Sequence, residues 1–158
     1  MGDIEIELDH ENAPITTENF IRYVQEGHYD GTIFHRIIDD FMIQAGGYTT
    51  DGKEKPTHKP IKLESNNGLK NQIGKIAMAR TNNPNSATSQ FFINVSDNHY
   101  LNHAKGNDGY AVFGKVISGM DTVNRIKTMK TGNKGPYTDW PHEDVIIKHA
   151  SLSNPKPP

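Results

Sequence analysis

The sequence has no cysteine among its 158 residues, so disulfide bonds and thiolate chemistry are excluded. A basic excess is also missing: 17 Lys and Arg stand against 19 Asp and Glu, whereas a nucleic-acid-binding domain normally carries surplus positive charge. No apolar run approaches the roughly 20 residues that span a bilayer, and no signal-peptide pattern opens the chain. These absences predict a soluble cytoplasmic protein without nucleic-acid or membrane partners, or alternatively a periplasmic form whose signal has been removed.

Fourteen glycines and nine prolines divide the chain into short segments joined by turns. Alternating and apolar segments predict strands, and helical spacing of apolar residues predicts two helices. The predicted strands are residues 2–8, 32–38, a returning strand from Met42, 75–80, 89–96, 110–117 and 144–152. The predicted helices are about 17–26, with Thr16 or Thr17 as N-cap, and 119–129; residues 46–60 and 131–142 are predicted loops.

Many short strands with one early and one late helix favour a mainly β domain, a closed antiparallel barrel capped at its ends. A mixed α+β sandwich stays open on pattern alone. We expect one domain, residues 1–153, followed by a disordered tail, residues 154–158.

Residues 29–46, YDGTIFHRIIDDFMIQAG, place an arginine inside an otherwise apolar run. Strand alternation predicts Phe34, Arg36 and Ile38 on one face, with His35 and Ile37 on the other. A guanidinium among apolar groups is costly unless it has partners or a function. The amide oxygen of a nearby glutamine, residue 44, can supply one partner. An arginine whose stem merely covers apolar surface is the alternative.

Common catalytic constellations are absent: the chain has no G-x-S-x-G motif and no phosphate-binding glycine loop before a helix. Asp39 and Asp40 are adjacent at a predicted turn, which favours a solvated loop over an acid–base pair. The eight histidines form no H-E-x-x-H motif, and the spacing of His99 and His103 falls in a Gly/Asn-rich region. No metal site and no cofactor are predicted.

The spacing Y-x2-T-x-F-H-R-I-I-x2-F-M-x-Q-A-G resembles the core motif of the cyclophilins, the cyclophilin-type peptidyl-prolyl cis–trans isomerases, in particular the small bacterial ones. The motifs M-A-R-T, S-Q-F-F-I-N, Y-L-N and V-F-G-K-V-I-S-G-M-D follow in the family's order, and the resemblance covers residues 2–152. It implies a cyclophilin barrel and an isomerase that acts on X-Pro bonds of peptides and of unfolded or partly folded proteins.

The resemblance also implies a site. Arg36 matches the family's catalytic arginine, and Gln44 matches the glutamine that orients it. The implied substrate-binding residues are the pocket walls Phe41, Met42, Phe92 and Leu101, the strand-end segment Ala79, Arg80 and Thr81, the polar contact Gln90, and Tyr100 and Tyr110. Phe91 is expected in the core.

Two departures from the family pattern affect these expectations. The first strand usual in the family is apparently absent before residue 2, which predicts lower stability or pairing of the free edge with another chain. Tyr100 stands where many relatives have a tryptophan whose indole N–H helps to bind cyclosporin, so only weak inhibition by that drug is expected.

Three functions are weighed. An isomerase is favoured because rotating an X-Pro bond needs no nucleophile, base or metal, only preferential binding of the twisted amide. A module that binds X-Pro segments without relevant turnover is the second, and residues 46–60 could give it specificity. A metal-dependent hydrolase is the third, and no histidine spacing supports it.

Overall fold

The fold is that of a computed structural model, which describes residues 1–153; the tail predicted at 154–158 lies outside the described residues. The element order is β1 (Glu5–Leu8), α1 (Pro14–Gln25), β2 (Thr32–Ile38), β3 (Met42–Thr49), β4 (Lys75–Met78), β5 (Phe91–Asn94), a 3-10 helix (His99–Leu101), β6 (Val112–Ser118), α2 (Met120–Lys127), β7 (Thr131–Lys134) and β8 (Tyr137–Pro141). No helix within residues 1–153 is long and apolar enough to cross a bilayer.

Six strands form one antiparallel sheet in the order β1-β6-β4-β5-β3-β2, and β7 pairs with β8 in a separate hairpin. The main core includes Phe20, Phe91 and Phe113, whose rings pack edge-on or tilted, and the apolar faces of both helices. The mainly β fold with two helices is therefore confirmed. Closure of the barrel is not confirmed, since β1 and β2 end the strand order of the described sheet.

Strand β2 does not alternate regularly, and both predicted faces, Phe34 with Arg36 and Ile38 and His35 with Ile37, are wrong in part. Its pairing with β3 shifts register on both sides of Phe34. A bulge of this kind re-aims the side chains that follow it. Phe34 consequently packs in the main core with Ile37, while Ile38 borders a second apolar cluster and His35 contacts an aromatic cluster around Trp140.

The predicted loop 131–142 is wrong, because these residues form the β7–β8 hairpin. Its strands meet at Lys134 and Tyr137 around a Gly135-Pro136 turn, where Gly135 has a φ of 57°. A positive φ at this position is typical of hairpin turns. Trp140 is buried against Tyr48 of β3, with 5.8 Å between the ring centroids. This long-range contact anchors the hairpin.

The predicted last strand, 144–152, is also wrong. The segment has a single bridge to β2, between Ile33 and Ile146. Phe34 N–H donates to the Val145 carbonyl (2.9 Å), and Ile147 N–H donates to the Thr32 carbonyl (2.8 Å). We attribute the short pairing to the bulged edge of β2, because register shifts interrupt a ladder.

Helix α1 begins three residues before the predicted start. Pro14 occupies its first turn, where the missing N–H of proline is harmless. The predicted N-cap residues are therefore inside the helix. Thr16 is buried and bonds Glu64 through both its N–H (2.6 Å) and its hydroxyl (2.7 Å). The anchoring of α1 to the segment around Glu64 replaces a side-chain cap.

Candidate active site

Arg36, Gln44 and Gln90 form a polar row across three strands or strand ends. Arg36 pairs with Gln44 in the β2–β3 ladder, and its Nη1 lies 3.5 Å from the Gln44 Oε1, the outer limit of a hydrogen bond. Gln44 Nε2 in turn donates to Gln90 Oε1 at 2.8 Å. Arg36 is half-buried and takes part in none of the salt bridges of residues 1–153. Its neutral amide partner therefore leaves the positive charge available to a ligand.

Gly47 makes room for this row, and the sequence reasoning missed it. A Cβ built at Gly47 would lie 2.5 to 2.7 Å from Nε2, Cδ and Cγ of Gln90. Gln90 can therefore lie over the β3 backbone only because position 47 has no side chain. The two consecutive glycines after Ala45 were the available sequence signal.

Beside the polar row lies a second apolar cluster, which we call the apolar pocket because it contains the predicted pocket walls Phe41, Met42, Phe92 and Leu101. Its buried members are Met42, Ala77, Phe92 and Val112. Its partly buried border consists of Ile38, Phe41, Leu69, Ala79, Leu101 and Tyr110. Met42 and Gln44 share one face of β3, so the pocket and the polar row are adjacent.

Two tyrosines border this region in different ways. Tyr110 meets Phe92 edge-on at 5.8 Å, and the Arg80 guanidinium lies 4.4 Å over the Tyr110 ring. Tyr100 stacks on Phe41 at 6.0 Å and is 65% exposed. An exposed aromatic ring stacked on a pocket residue offers apolar area to a ligand.

The segment 79–81 continues from β4 along the pocket edge. Ala79 N–H donates to the Gln90 carbonyl at 3.0 Å. Arg80 donates through Nη2 to the Gly109 carbonyl (2.6 Å) and through Nη1 to the Thr81 carbonyl (2.9 Å). Arg80 thus holds the neighbouring loop, while the exposed Thr81 bonds Ser86 through its hydroxyl (2.8 Å).

His35, next to Arg36 in sequence, lies on the opposite side of the strand. Its ring is 4.6 Å from that of Tyr48 and 5.8 Å from that of Trp140. Burial, aided by the nearby Arg36 charge, lowers the pKa of His35 from 6.5 to about 4. The ring is therefore neutral at pH 7 and adds no charge beside Arg36.

Within residues 1–153, no three histidine, aspartate or glutamate side chains come together as metal ligands. His99 and His103 are both exposed around the 3-10 helix. The polar row and the apolar pocket together offer the Arg36 guanidinium, two amides and an apolar surface. Such a site can bind a polar group and an apolar ring side by side.

The arrangement defines a β-sheet protein with an arginine–glutamine pair next to an apolar pocket. A family model for the cyclophilin-type peptidyl-prolyl cis-trans isomerases matches residues 1–152. The chain belongs to this family, and it is a peptidyl-prolyl cis–trans isomerase.

Peptidyl-prolyl cis-trans isomerase B of Escherichia coli is 52% identical over 155 residues, covering 96% of this chain and 94% of that protein. Peptidyl-prolyl cis-trans isomerase A of Dickeya dadantii is 50% identical over 151 residues, covering 96% and 80%. A cyclophilin of Cryptosporidium parvum, crystallised in the presence of the dipeptide Ala-Pro, has a TM-score of 0.76 at 30% identity, covering 97% of this chain and 94% of its own.

The structure brings most of the predicted site residues together. Arg36, Gln44 and Gln90 share the polar row, while Phe41, Met42, Ala79, Phe92, Leu101 and Tyr110 share the apolar pocket. Tyr100 reaches it through Phe41, and Arg80 through Tyr110. Thr81 has no contact with either group among the hydrogen bonds and clusters of residues 1–153. Ala77, Val112, Ile38 and Leu69 were missed, because small and aliphatic residues carry no signal that distinguishes a pocket from a core.

Proposed function

We propose that the apolar pocket captures the proline ring of an X-Pro segment and that Arg36, oriented by Gln44, stabilises the twisted amide. The observation that carries the proposal is the row Arg36–Gln44–Gln90 along the edge of a pocket floored by Phe92. A charged donor and an apolar receptor thus lie side by side, as the two halves of an X-Pro bond require.

Rotation of an X-Pro bond requires few other groups. Rotation about a peptide bond has a barrier of roughly 18–20 kcal/mol because the amide loses resonance. In the twisted state the proline nitrogen becomes pyramidal and basic, so a guanidinium N–H aimed at it or at the adjacent carbonyl binds that state more tightly than the planar one. Each 1.4 kcal/mol of such preference gives about tenfold in rate.

Gln44 has two tasks in this mechanism. Its Oε1 faces Arg36 and its Nε2 is bonded to Gln90, so its amide cannot rotate without losing one partner. A side chain fixed at both ends orients the guanidinium before the substrate arrives, which lowers the cost of reaching the reactive geometry.

The peptide backbone on either side of proline needs polar partners as well. The segment Ala79-Arg80-Thr81 runs past the end of β4 at the pocket edge, and Gln90 lies across from it. We assign backbone binding to these residues. The crystal structure of the Cryptosporidium parvum relative in the presence of the dipeptide Ala-Pro supports a proline-containing ligand.

The clients we propose are unfolded or partly folded proteins whose folding waits for proline isomerisation. Uncatalysed X-Pro exchange takes tens to hundreds of seconds, slow enough to limit folding. The open border of the pocket, where Tyr100 is 65% exposed, admits a chain that continues on both sides of the proline.

The test is a coupled proline-isomerisation assay on an Ala-Pro peptide with the parent and Arg36→Ala. We expect kcat/KM to fall by about 10²- to 10³-fold, the usual effect of removing one key charge-stabilising donor. Arg22→Ala is the matched control, since Arg22 is an exposed arginine on α1 that pairs with Glu26. The mechanism is wrong if folded Arg36→Ala retains parental activity. Tight, partner-specific peptide binding unaffected by that change would favour the binding module.

A further inference from the structure

We propose that three buried asparagines, Asn71, Asn94 and Asn98, are positioning residues that hold the walls of the apolar pocket. This inference rests on the proposed role of that pocket in binding proline. The three side chains, called here the asparagine chain, are 1%, 0% and 2% exposed. Buried amides are costly unless both their oxygens and their N–H groups are paired.

The three amides bond one another in a single direction. Asn98 Nδ2 donates to Asn94 Oδ1 at 2.8 Å, and Asn94 Nδ2 donates to Asn71 Oδ1 at 3.0 Å. Asn94 also donates to the Lys75 carbonyl of β4 at 3.1 Å, which ties the chain to the sheet. Each amide therefore has a fixed orientation, because flipping one would place donor against donor or acceptor against acceptor.

Both ends of the asparagine chain reach backbone carbonyls of pocket residues. Asn98 Nδ2 donates to the Phe41 carbonyl at 2.9 Å. Asn71 Nδ2 donates to the Leu101 carbonyl at 3.1 Å and lies 3.4 Å from the Tyr110 carbonyl. Border residues from two regions of the chain, Phe41 and the segment 101–110, are thus bonded to one buried network.

These three border residues lie outside the strands of the main sheet. Phe41 is in the β2–β3 turn, Leu101 ends the 3-10 helix, and Tyr110 precedes β6. Their positions depend on local contacts, such as the bond from Tyr110 N–H to the Leu101 carbonyl (2.9 Å). The asparagine chain adds side-chain crosslinks to such backbone bonds, which also include the one from Val95 N–H to the Phe41 carbonyl (3.0 Å).

The asparagine chain has no hydrogen bond to the polar row among residues 1–153. Arg36 and Gln44 lie on β2 and β3, and the partners of Gln44 are Arg36 and Gln90. Loosening the asparagine chain should therefore widen the proline pocket while leaving the guanidinium in place. A defect in ligand binding, seen in KM, follows from loosening the walls, and a defect in kcat follows from disturbing Arg36.

The experiment compares KM and kcat for an Ala-Pro peptide in the parent, Asn98→Ala and Arg36→Ala. For Asn98→Ala we expect KM to rise about tenfold with kcat within about twofold of the parent, the pattern of lost binding that is equal in ground and transition states. Amide chemical shifts of Phe41, Leu101 and Tyr110 should change together, because they report the walls that the chain connects.

Thr32→Val is the matched control. Thr32 is fully buried and donates its hydroxyl to the Tyr29 carbonyl at 2.7 Å, away from the pocket. It loses a comparable buried bond with little change in shape, and its KM should stay parental. If Asn98→Ala does not fold, Asn98→Thr replaces it in the test, because it keeps one short donor and leaves a smaller cavity. For Asn98→Thr we expect an intermediate rise in KM.

The inference is overturned if a folded Asn98 variant keeps the parental KM, if its loss falls in kcat alone, or if Thr32→Val raises KM equally. The Arg36→Ala variant distinguishes a failure of the positioning role from a failure of the proposed function. A parental kcat in Arg36→Ala refutes the mechanism, whereas lost kcat there with unchanged KM in the Asn98 variants refutes only the positioning role.

Discussion

Arg36 and His35 are consecutive residues of β2 with contrasting surroundings. Arg36 is half-buried and meets the amide of Gln44, which shares a face of β3 with the pocket residue Met42. His35 is buried between aromatic rings, and its Nδ1 has no hydrogen-bond partner among the described residues. A polar group with a partner and an open side suits binding, while a polar group enclosed by apolar rings only lowers stability when it becomes charged.

The largest effect is expected when Arg36 is changed to lysine. Arg36→Lys keeps the charge but loses the planar fork, so Gln44 can no longer hold the donor in place. We expect kcat/KM for an Ala-Pro peptide to fall by about 10²-fold, with the melting temperature nearly unchanged because the position is half-buried. Activity close to that of the parent would show that charge alone is sufficient.

The stability of the protein at acid pH tests whether His35 is a buried, neutral group. The folded-state pKa of about 4 lies below the unfolded value of 6.5, so the unfolded chain binds more protons between these limits. Stability is therefore lost as the pH falls from about 6.5 towards 4, by about 2 kcal/mol between pH 7.5 and 5. His35→Phe should remove this component of the pH dependence and keep the isomerase activity.

Chemical denaturation at the two pH values measures the effect. His28, whose pKa burial also lowers, remains in both proteins, so the difference between the two stability curves reports His35 alone. Parallel curves for the parent and His35→Phe would contradict the assignment. If a stable His35→Phe variant lost isomerase activity, His35 would contribute to activity, and the two sides of β2 would not be functionally separate.

A smaller effect is expected at Gly47. Gly47→Ala places a Cβ within 2.5 to 2.7 Å of three Gln90 atoms, so the Gln90 side chain must move away from Gln44. Because a flexible side chain can yield, stability should change little, while kcat/KM should fall about tenfold as Gln44 loses one of its two partners. Gly31→Ala is the control for substituting a glycine, because Gly31 is exposed and a Cβ there would have no atom within 4 Å. The φ of Gly31 is 83°, so we expect this variant to lose stability but to keep the parental kcat.

The smallest effect concerns cyclosporin. Tyr100 is exposed and stacks on Phe41, and its hydroxyl lies 3.4 Å from Asn98 Oδ1. Tyr100→Trp adds an indole N–H at the pocket border, so we expect it to strengthen cyclosporin binding by about 1 kcal/mol, roughly the net value of one hydrogen bond. Calorimetry on both proteins measures this, and nanomolar binding by the parent would contradict the expected weak inhibition.

The sequence was informative where pattern and local geometry agree. Strand β2 has the predicted limits because Asp39-Asp40 ends a dense apolar run, and Asp40 has the φ of 62° that an aspartate at a turn tolerates. Alternation predicted Phe91 and Phe92 on opposite faces of their strand, and the structure places Phe91 in the main core and Phe92 in the second apolar cluster, because the pairing of β5 with β3 and β4 has no bulge.

The failures have a common physical origin in contacts between distant segments. The bulge that turns Phe34 into the core leaves no trace in residue types. Strand β7, TGNK, contains no apolar residue, and its hairpin depends on the packing of Trp140 against Tyr48. The buried amide of Asn94 was not predicted either, since the acceptors of its N–H groups, Asn71 Oδ1 and the Lys75 carbonyl, lie 23 and 19 residues away.

The outer edge of β2 has a consequence for synthesis of the chain. Every residue proposed for the site lies between positions 36 and 112, but the backbone groups of Thr32 and Phe34 are bonded by Val145 and Ile147. On the ribosome, the site segments therefore leave the exit tunnel well before that edge is covered. A nascent chain stopped near residue 143 would carry the segments of the proposed site beside an uncovered apolar strand, so it is a state in which this isomerase would be prone to aggregation.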